Sequence, residues 1–410
     1  MTSVRRVAPA ALLVALLIAS PSAAQDAPQG MLPEPGFVTR AVTRFTTAAG
    51  EDSGPSDGWY PELGHMITGA GWIALGPGYR HHVFNDRALV DASTAVSWRA
   101  YRMAQARFEL PALASNHLTI GTQAQWQDMT QVVYYGAGPQ SSPDAATDYR
   151  MQTINGVMYA AVRPTTPLAL TARFGLLSRP SLSSSAGPFD RDLPDTFERF
   201  AGEPGATRDR QPSFFHGDVS LLHDTRDVRG HPSRGGIYRA AWTTFSSRGP
   251  DTVAVERYEL EGAQFLPTLG GRMVLAARGW AVFTPPSSGL DVPFYLLPSL
   301  GGSNTLRSYP DYRFHDRDLL LVNVESRWAV LTHLDGALFI DAGNVAPEAA
   351  GLDLARRSFG SGVRLHNGRT TIVRFDAARG SEGWRFILRL NDPLRLSRLS
   401  RRTAAIPVVP

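Results

Sequence analysis

Short segments in which apolar and polar residues alternate recur along most of the chain, and they predict β-strands. In residues 318–330, Val322 and Val324 fall on one face of such a segment, while Asn323 and Glu325 fall on the other. A period of two residues is typical of a strand whose two faces meet different environments. Turn-forming Gly, Pro, Asp and Asn separate these segments, and we count roughly fourteen candidate strands between residues 65 and 391.

Alternation alone fits both a soluble β-sandwich and a transmembrane β-barrel, since both place one face in an apolar medium. After residue 24 no stretch approaches the length of apolar sequence that a membrane-spanning helix needs. The run of strands also continues without a domain break for longer than most single sandwiches. We therefore predict an all-β fold, a single transmembrane antiparallel β-barrel of about 16 strands in the outer membrane of a Gram-negative bacterium.

The N-terminus supports export. Arg5 and Arg6 precede the apolar run 10–19, and small residues at Ser22 and Ala24 are suited to cleavage after Ala24. A membrane anchor is the alternative, but the apolar run is too short to span a bilayer. The absence of cysteine excludes lipid anchoring, disulfides and thiolate metal sites.

The sequence divides into four segments: a signal peptide at 1–24, a Pro/Gly-rich lead-in at 25–61, the barrel at 62–391 and a basic tail at 392–410. No long amphipathic helix is evident after the signal peptide. Residues 88–110 are long enough for one extended strand or two short ones. Two long loops are expected at 181–212 and 285–316, and short turns at Gly270-Gly271 and Asn367-Gly368. Aromatic residues near strand ends predict interfacial girdles, namely Trp59, Tyr60, Tyr134, Tyr135, Tyr309 and Tyr312.

The charge and the candidate catalytic groups of the sequence argue against nucleic-acid binding, metal binding and catalysis. All 41 basic residues are Arg, but a dispersed net charge of +4 does not indicate nucleic acid as a partner. His81 and His82 would face opposite ways on a strand and make a poor metal pair. The grouping of His216, Asp218, His223 and Asp224 could suggest hydrolysis or metal binding, but a turn motif explains Asp224 better. We therefore expect no catalytic residue, cofactor or metal site.

Residues 293–315 contain aromatic residues, then Gly301-Gly302-Ser303, and then a tip that reads Leu306-Arg307-Ser308-Tyr309. This stretch resembles the loop-six signature of the BamA/TamA barrel-assembly superfamily, whose barrel is the bacterial surface antigen domain. The family prefers Gly at the position of Ser308. If that position has a positive φ, Ser308 bears a strain of about 1–3 kcal/mol, or the tip has another shape.

Two further stretches are similar to motifs of that superfamily, and with the loop they occur in the family's order and spacing. They are the Phe-x-Asp-x-Gly strand motif at Phe339, Asp341 and Gly343, and a mid-barrel hairpin at Asp224, Arg226, Asp227, Pro232 and Gly235. A fourth match, at Gly383, Phe386 and Leu388, resembles the last-strand signal by which outer-membrane barrels are recognised for assembly. The chain departs from the family in having some twenty residues after the last strand. Residues 25–61 are also too few to fold a periplasmic POTRA module, which implies a short member without its own client-handling domains.

Alternation allows the motif residues to be placed. In 334–343 the apolar residues form one set, so Asp335, Phe339 and Asp341 face the lumen, as Glu325 does on the preceding strand. Carboxylates in a lumen favour a cationic partner. Our hypothesis is that loop 285–316 folds into the lumen and that Arg307 pairs with Asp341 and Glu325, as the resemblance also implies. The alternative is that Arg307 lies on an exposed loop.

Three functions are compatible with such a barrel. The resemblance implies a role in outer-membrane biogenesis, through protein insertion, translocation or lipid homeostasis. The partners would then be membrane lipid, client outer-membrane or secreted proteins, or periplasmic accessory proteins. A porin-like channel is the second possibility, with lumen charges setting selectivity, and an outer-membrane hydrolase is the third.

Overall fold

The computed structural model describes residues 30–49, 57–64, 74–187, 192–248, 253–286, 291–390, 392–394 and 396. The expected signal peptide and most of the basic tail lie outside these residues. The described chain is dominated by sixteen long strands. They are β1 (Gly58–Gly64), β2 (Ala74–Val83), β3 (Ala88–Ser97), β4 (Arg102–Ala112), β5 (Leu118–Tyr134), β6 (Thr147–Thr165), β7 (Leu168–Ser183), β8 (Phe214–Asp224), β9 (Gly235–Ser247), β10 (Ala254–Thr268), β11 (Met273–Phe283), β12 (Asp318–Leu331), β13 (Leu334–Ala346), β14 (Arg356–His366), β15 (Thr371–Gly380) and β16 (Gly383–Arg389).

Each of these strands pairs antiparallel with its neighbour in sequence, from β1 to β16. The two-residue strand Asp209–Arg210 adds to the same sheet beside β7, and Ser299–Leu300 pairs separately with Phe314–His315. Among the described residues, no ladder joins β1 to β16. The strand number and the antiparallel order agree with the prediction, and residues 88–110 contain two strands.

The two faces of the sheet have opposite polarity. On β13, Leu338 and Ile340 are 54% and 60% exposed, whereas Asp341, the next residue along the strand, is fully buried. On β15, Phe375 is exposed while Arg374 and Asp376 are fully buried. Apolar residues therefore cover the outer face, and charged residues fill the interior. This is the arrangement of a barrel whose outside meets hydrocarbon.

Connections of two kinds divide the barrel into two ends. The end that we call the loop end carries the long connections 135–146, 184–213, 284–317 and 347–355. The other, the turn end, carries shorter connections at 84–87, 166–167, 269–272, 332–333 and 367–370, together with turn 225–234. Both short turns expected, at Gly270-Gly271 and at Asn367-Gly368, are present, and Gly270, Gly271 and Gly368 adopt positive φ.

The helices are few. The longest is α1 (Gly36–Ala49), and α2 (Thr196–Arg199) lies in the loop after β7. No helix among the described residues is long and apolar enough to cross a membrane. A turn at Leu113–Asn116 and four 3₁₀ turns complete the set, namely Pro143–Ala145, Leu269–Gly271, Phe294–Leu296 and Ala349–Gly351.

Helix α1 corrects the expectation that the chain after the signal peptide has no long helix. Val38 and Val42 are buried, and their spacing of four residues places them on one face. The segment before α1 is anchored at the turn end, where the amides of Met31 and Leu32 donate to the carbonyls of Ala329 and Val330. The lead-in therefore contains a docked helix, and β1 begins at Gly58 rather than at residue 62.

The aromatic residues also differ from expectation. Trp59 is exposed, but Tyr134, Tyr135, Tyr309 and Tyr312 are all buried. These four tyrosines pack inside the barrel, so they do not form interfacial girdles. The pattern was misleading because a lumen that is filled with protein also needs large side chains near the strand ends. The exposed aromatic residues lie instead on the outer face, as Phe174 and Trp242 do.

Candidate functional site

The described part of loop 284–317, residues 284–286 and 291–317, lies largely inside the barrel. Phe294, Leu306, Tyr309 and Phe314 are at most 1% exposed, and part of the loop packs against Trp280 of β11. At its turn, Gly301 and Gly302 have φ of 115° and 102°. A side chain on Gly301 would overlap the Pro310 carbonyl, so glycine is needed there both for its conformation and for its size.

Arg307 at the loop tip meets two carboxylates of the barrel wall. Its Nη2 lies 2.8 Å from Oδ1 of Asp341 on β13, and its Nη1 lies 2.6 Å from Oε2 of Glu325 on β12. Its Nε and its backbone amide donate to Oδ2 of Asp341 at 3.0 and 3.1 Å. All three side chains are at most 1% exposed. We call Arg307, Asp341 and Glu325 the lumen latch.

The charge of Arg307 is fixed by these partners. Burial lowers the pKa of its guanidinium, but the carboxylates of Asp341 and Glu325 raise that pKa by more, so it lies above its ordinary value. Phe339 adds a contact on the flat face of the group, because its ring centroid lies 3.4 Å from the guanidinium carbon. Asn323 donates both to Asp341 Oδ1 at 2.8 Å and to the Thr305 carbonyl at 2.9 Å. The wall therefore holds the tip by its side chain and by its backbone.

A second set of wall residues extends the lumen latch, and the sequence did not single it out. Arg364 of β14 bridges Glu325 at 3.0 Å and Asp376 of β15 at 2.5 Å. Arg374 pairs with Asp376 at 2.7 Å and donates to the Ser303 carbonyl of the loop at 2.8 Å. Alternation already places Arg374 and Asp376 on one face of their strand. Their partners depend on the register across three strands, which alternation does not give.

Ser308 does not have the positive φ that would strain it, so the condition for strain is not met. It is absent from the positive-φ residues of the described chain, its amide donates to Ser358 Oγ at 2.8 Å, and its side chain packs against the bare backbone of Gly380. The neighbouring Tyr309 bonds Ser381 Oγ at 2.9 Å. At Gly343 of β13 a Cβ would overlap the Leu320 carbonyl of the neighbouring strand β12, and it would also lie 3.3 Å from Leu300 of the loop. Small residues on the wall thus let the loop approach closely.

The hairpin motif builds turn 225–234. Arg226 donates to both oxygens of Asp224 at 2.8 and 2.9 Å, and Asp227 accepts from the amides of Val228 and Ser233 at 2.8 and 3.0 Å. The turn closes at Gly235, whose φ of 83° favours glycine. The turn docks on the barrel wall through Pro232, because Arg327 of β12 donates to its carbonyl at 2.8 Å. The motif therefore folds a turn over the turn end and does not contact the lumen latch.

His231 of this turn meets Asp335 and His366. The Nε2 atoms of His231 and His366 lie 3.1 and 3.3 Å from different oxygens of Asp335, and the rings stack with centroids 4.0 Å apart. Within the described chain, this is the one group of three such residues close enough to share an ion. The Gly368 amide donates to His366 Nδ1, which leaves the proton of the neutral ring on Nε2. The geometry therefore suits a carboxylate that accepts two imidazole N–H bonds.

The remaining candidates lie apart from the lumen latch. Gly383 begins β16 with a φ of 109°, and Phe386 and Leu388 lie exposed on its outer face. His216 bonds Asn155 at 2.7 Å, and Asp218 pairs with Arg173 and Arg239 at 3.0 and 3.3 Å, so this grouping forms structural pairs. The residue types considered for hydrolysis are thus divided among separate contacts. His81 and His82 both reach Asp57, at 2.9 and 2.5 Å.

Comparison with known proteins identifies the fold. The sequence model of the Omp85 superfamily domain matches residues 88–393. No curated protein matches the sequence. Among solved structures, BamA from Haemophilus ducreyi lacking POTRA domains 1–3 is similar, with a TM-score of 0.61 and 12% identity over 86% of this chain and 78% of that one. CdiB from Escherichia coli matches with a TM-score of 0.53 and 13% identity over 82% and 62%. CdiB from Acinetobacter baumannii matches with a TM-score of 0.49 and 11% identity over 80% and 58%.

Proposed function

Because the chain belongs to the Omp85 superfamily and has a sixteen-stranded barrel, we propose that it acts in the biogenesis of a Gram-negative outer membrane. In this role it inserts or translocates client proteins, or maintains membrane lipid, without enzymatic chemistry. Its partners are membrane lipid, client outer-membrane or secreted proteins, and periplasmic accessory proteins.

One observation supports biogenesis over a pore, namely that residues 291–316 of the loop between β11 and β12 occupy the lumen. Its residues Phe294, Leu306 and Tyr309 are buried, and Arg307 fixes the tip to the wall. The turn end is also covered, by turn 225–234 and by the chain after β16, where Leu394 and Leu396 pack on β9–β11. A barrel filled at both ends suits a protein that works through its wall and the adjoining bilayer.

Depletion of the protein in its own bacterium tests this proposal. Biogenesis predicts that the amounts of other outer-membrane proteins fall, or that the lipid asymmetry of the outer membrane is lost, and that the wild-type chain restores them. Arg307→Ala should restore them poorly. Arg208→Ala, which changes a half-exposed arginine in the loop after β7, should restore them fully.

A pore predicts different results. The purified barrel would show steady conductance in planar bilayers, and deletion of residues 291–316 would enlarge it. Depletion would then leave other outer-membrane proteins and lipid asymmetry unchanged. That combination would contradict a role in biogenesis and favour the channel.

A further inference from the structure

A cavity of about 320 Å³ lies at β16, the last strand of the barrel. It is lined by residues of four regions, namely Arg99 from the connection between β3 and β4, Asp311 of loop 284–317, Phe375 of β15, and Arg385, Phe386, Ile387, Leu388 and Arg389 of β16. Consecutive residues of a strand point to opposite faces, so both faces of β16 contribute to the lining. The cavity therefore lies where the apolar outside of the barrel meets its charged interior.

The interior side of this cavity carries an excess of positive charge. Three guanidinium groups, from Arg99, Arg385 and Arg389, face the single carboxylate of Asp311, which gives a formal charge of +2. Arg385 Nη2 lies 3.1 Å from Asp311 Oδ1, and Arg389 Nε donates to Ser303 Oγ at 3.0 Å. Burial raises the pKa of the Asp311 carboxyl, but the guanidinium groups around it hold that pKa below its ordinary value. The carboxylate is thus ionised and neutralises one of the three cations.

The exterior side is apolar and wide. Trp384, Phe386 and Leu388 alternate along the outer face of β16 and are 59%, 67% and 40% exposed. The rings of Trp384 and Phe386 lie nearly parallel, with centroids 6.5 Å apart, and Phe375 of β15 continues the row at 6.2 Å from Phe386. Such a surface is suited to acyl chains, and the arginines behind it are suited to a compact anion. Guanidinium groups bind phosphate oxygens through paired charge-assisted hydrogen bonds.

We propose that this cavity binds the phosphate group of an anionic membrane lipid, whose acyl chains lie on the aromatic face of β16. The lipid would lie at β16, the last strand of the described sheet. This proposal rests on the proposed location in an outer membrane but not on the proposed role in biogenesis. A barrel that binds lipid as expected but does not restore depleted cells would contradict only the role in biogenesis.

Lipid binding to the purified barrel in detergent micelles tests the site, with native mass spectrometry as the readout. We expect phosphatidylglycerol to bind at least tenfold more tightly than phosphatidylcholine. The variant Arg385→Gln/Arg389→Gln should bind phosphatidylglycerol about tenfold more weakly, since two charge-assisted contacts are lost. The control Arg208→Gln/Arg369→Gln removes the same charge from two exposed positions and should bind as the wild type does. Heat-modifiable gel migration checks that each variant is folded.

The variant Asp311→Asn provides a second test of the site if the double variant does not fold. It removes the neutralising carboxylate, so phosphatidylglycerol should bind more tightly, which damage to the fold would not produce. Equal affinity for the two lipids, or unchanged affinity in both cavity variants, would overturn the proposal. Inorganic phosphate distinguishes the source of the anion. If millimolar phosphate displaces bound phosphatidylglycerol completely, the cavity binds soluble phosphate and the lipid assignment is wrong, whereas retention of the lipid supports it.

Discussion

The guanidinium carbon of Arg307 lies 3.4 Å from the ring centroid of Phe339, two residues before the Asp341 carboxylate that binds the same group. On a strand, residues two apart point to the same face, so Phe339 and Asp341 approach the guanidinium together. The ring covers its flat surface while the carboxylate accepts bonds in its plane. The spacing of the Phe-x-Asp motif therefore follows from how one arginine is held inside a barrel.

Removal of Arg307 should release the loop. Arg307→Ala leaves Asp341 and Glu325 buried without their shared cation, and loss of one partner of a buried ion pair costs about 3–5 kcal/mol. We expect a lower unfolding temperature and faster proteolysis within 291–316. Arg307→Lys keeps the charge but loses the paired geometry, so its effect should be intermediate.

Heat-modifiable gel migration and limited proteolysis measure both effects. Arg208→Ala is the control, because exposed ion pairs contribute only about 0–1 kcal/mol. Unchanged heat stability together with unchanged proteolysis in Arg307→Ala would contradict the lumen latch.

Close packing around Gly343 of β13, by the backbone of β12 and by the loop, predicts that this position tolerates no side chain. A Cβ at this position overlaps the Leu320 carbonyl and crowds Leu300 of the loop. Gly343→Ala should therefore destabilise the barrel by about 1–3 kcal/mol. Gly279→Ala is the matched control, since a Cβ there meets nothing within 4 Å. Equal unfolding temperatures for the two variants would show that Gly343 is not closely packed against β12 and the loop.

The docking of turn 225–234 should weaken as pH falls. Burial lowers the pKa of His231 more than Asp335 raises it, and His366 and Arg327 lower it further. Because the pKa of His231 is lower in the folded state, the unfolded chain takes up a proton first as the pH falls below the ordinary value of 6.5. The folded state is therefore fully stable with respect to this group above pH 6.5 and loses stability below it. The protection of the turn's amides against hydrogen exchange, after correction for the intrinsic pH dependence of exchange, should be lower at about pH 5.5 than at about pH 7.5. The variant His231→Asn should show a smaller change, and an equal change in both proteins would exclude His231 as its cause.

Burial of the chain after β16 predicts a stabilising contact at the turn end. Leu394 and Leu396 are each 2% exposed and pack near Phe265, while Asp392 pairs with Arg327 at 3.0 Å. Leu394→Ala should lower stability by about 2–5 kcal/mol. Leu390→Ala, at a position 40% exposed, should have a much smaller effect in detergent. Thermal unfolding of both variants provides the comparison, and equal shifts would argue against a docked segment.

Alternation predicted much of the barrel, because a strand between lipid and a polar lumen alternates strictly. It placed Asn323, Glu325 and Arg327 on one face of β12, and all three are buried in the lumen. The partner of Arg307 came from the family resemblance together with this alternation. Neither source gave Arg364 and its partners, because a pairing across strands depends on the shear of the barrel.

Helix α1 was missed for a different reason. Its sequence is rich in Thr and Val, which have low helix propensity, and it follows a Pro-rich segment. The helix is stabilised where Val38 and Val42 are buried, and this burial exists only once the barrel has formed. Similarly, the burial of Leu394 and Leu396 depends on a wall formed by β9–β11, so the local sequence of the tail does not predict it.

The position of the loop tip inside the barrel is tested most directly by an engineered disulfide. The chain has no cysteine, and a Cβ at Gly380 would lie 3.1 Å from the Cβ of Ser308. Disulfides adopt Cβ separations of about 3.5–4.5 Å, so a shift of a few tenths of an ångström between loop and strand accommodates the bond. Ser308→Cys/Gly380→Cys should form an intramolecular bond in intact cells, visible as a shift on non-reducing gels. Ser308→Cys/Gly156→Cys, which uses a distant wall strand, should not. Cross-linking in the first pair alone is the predicted result, whereas free thiols in both pairs of a folded barrel would show that the loop lies outside the lumen.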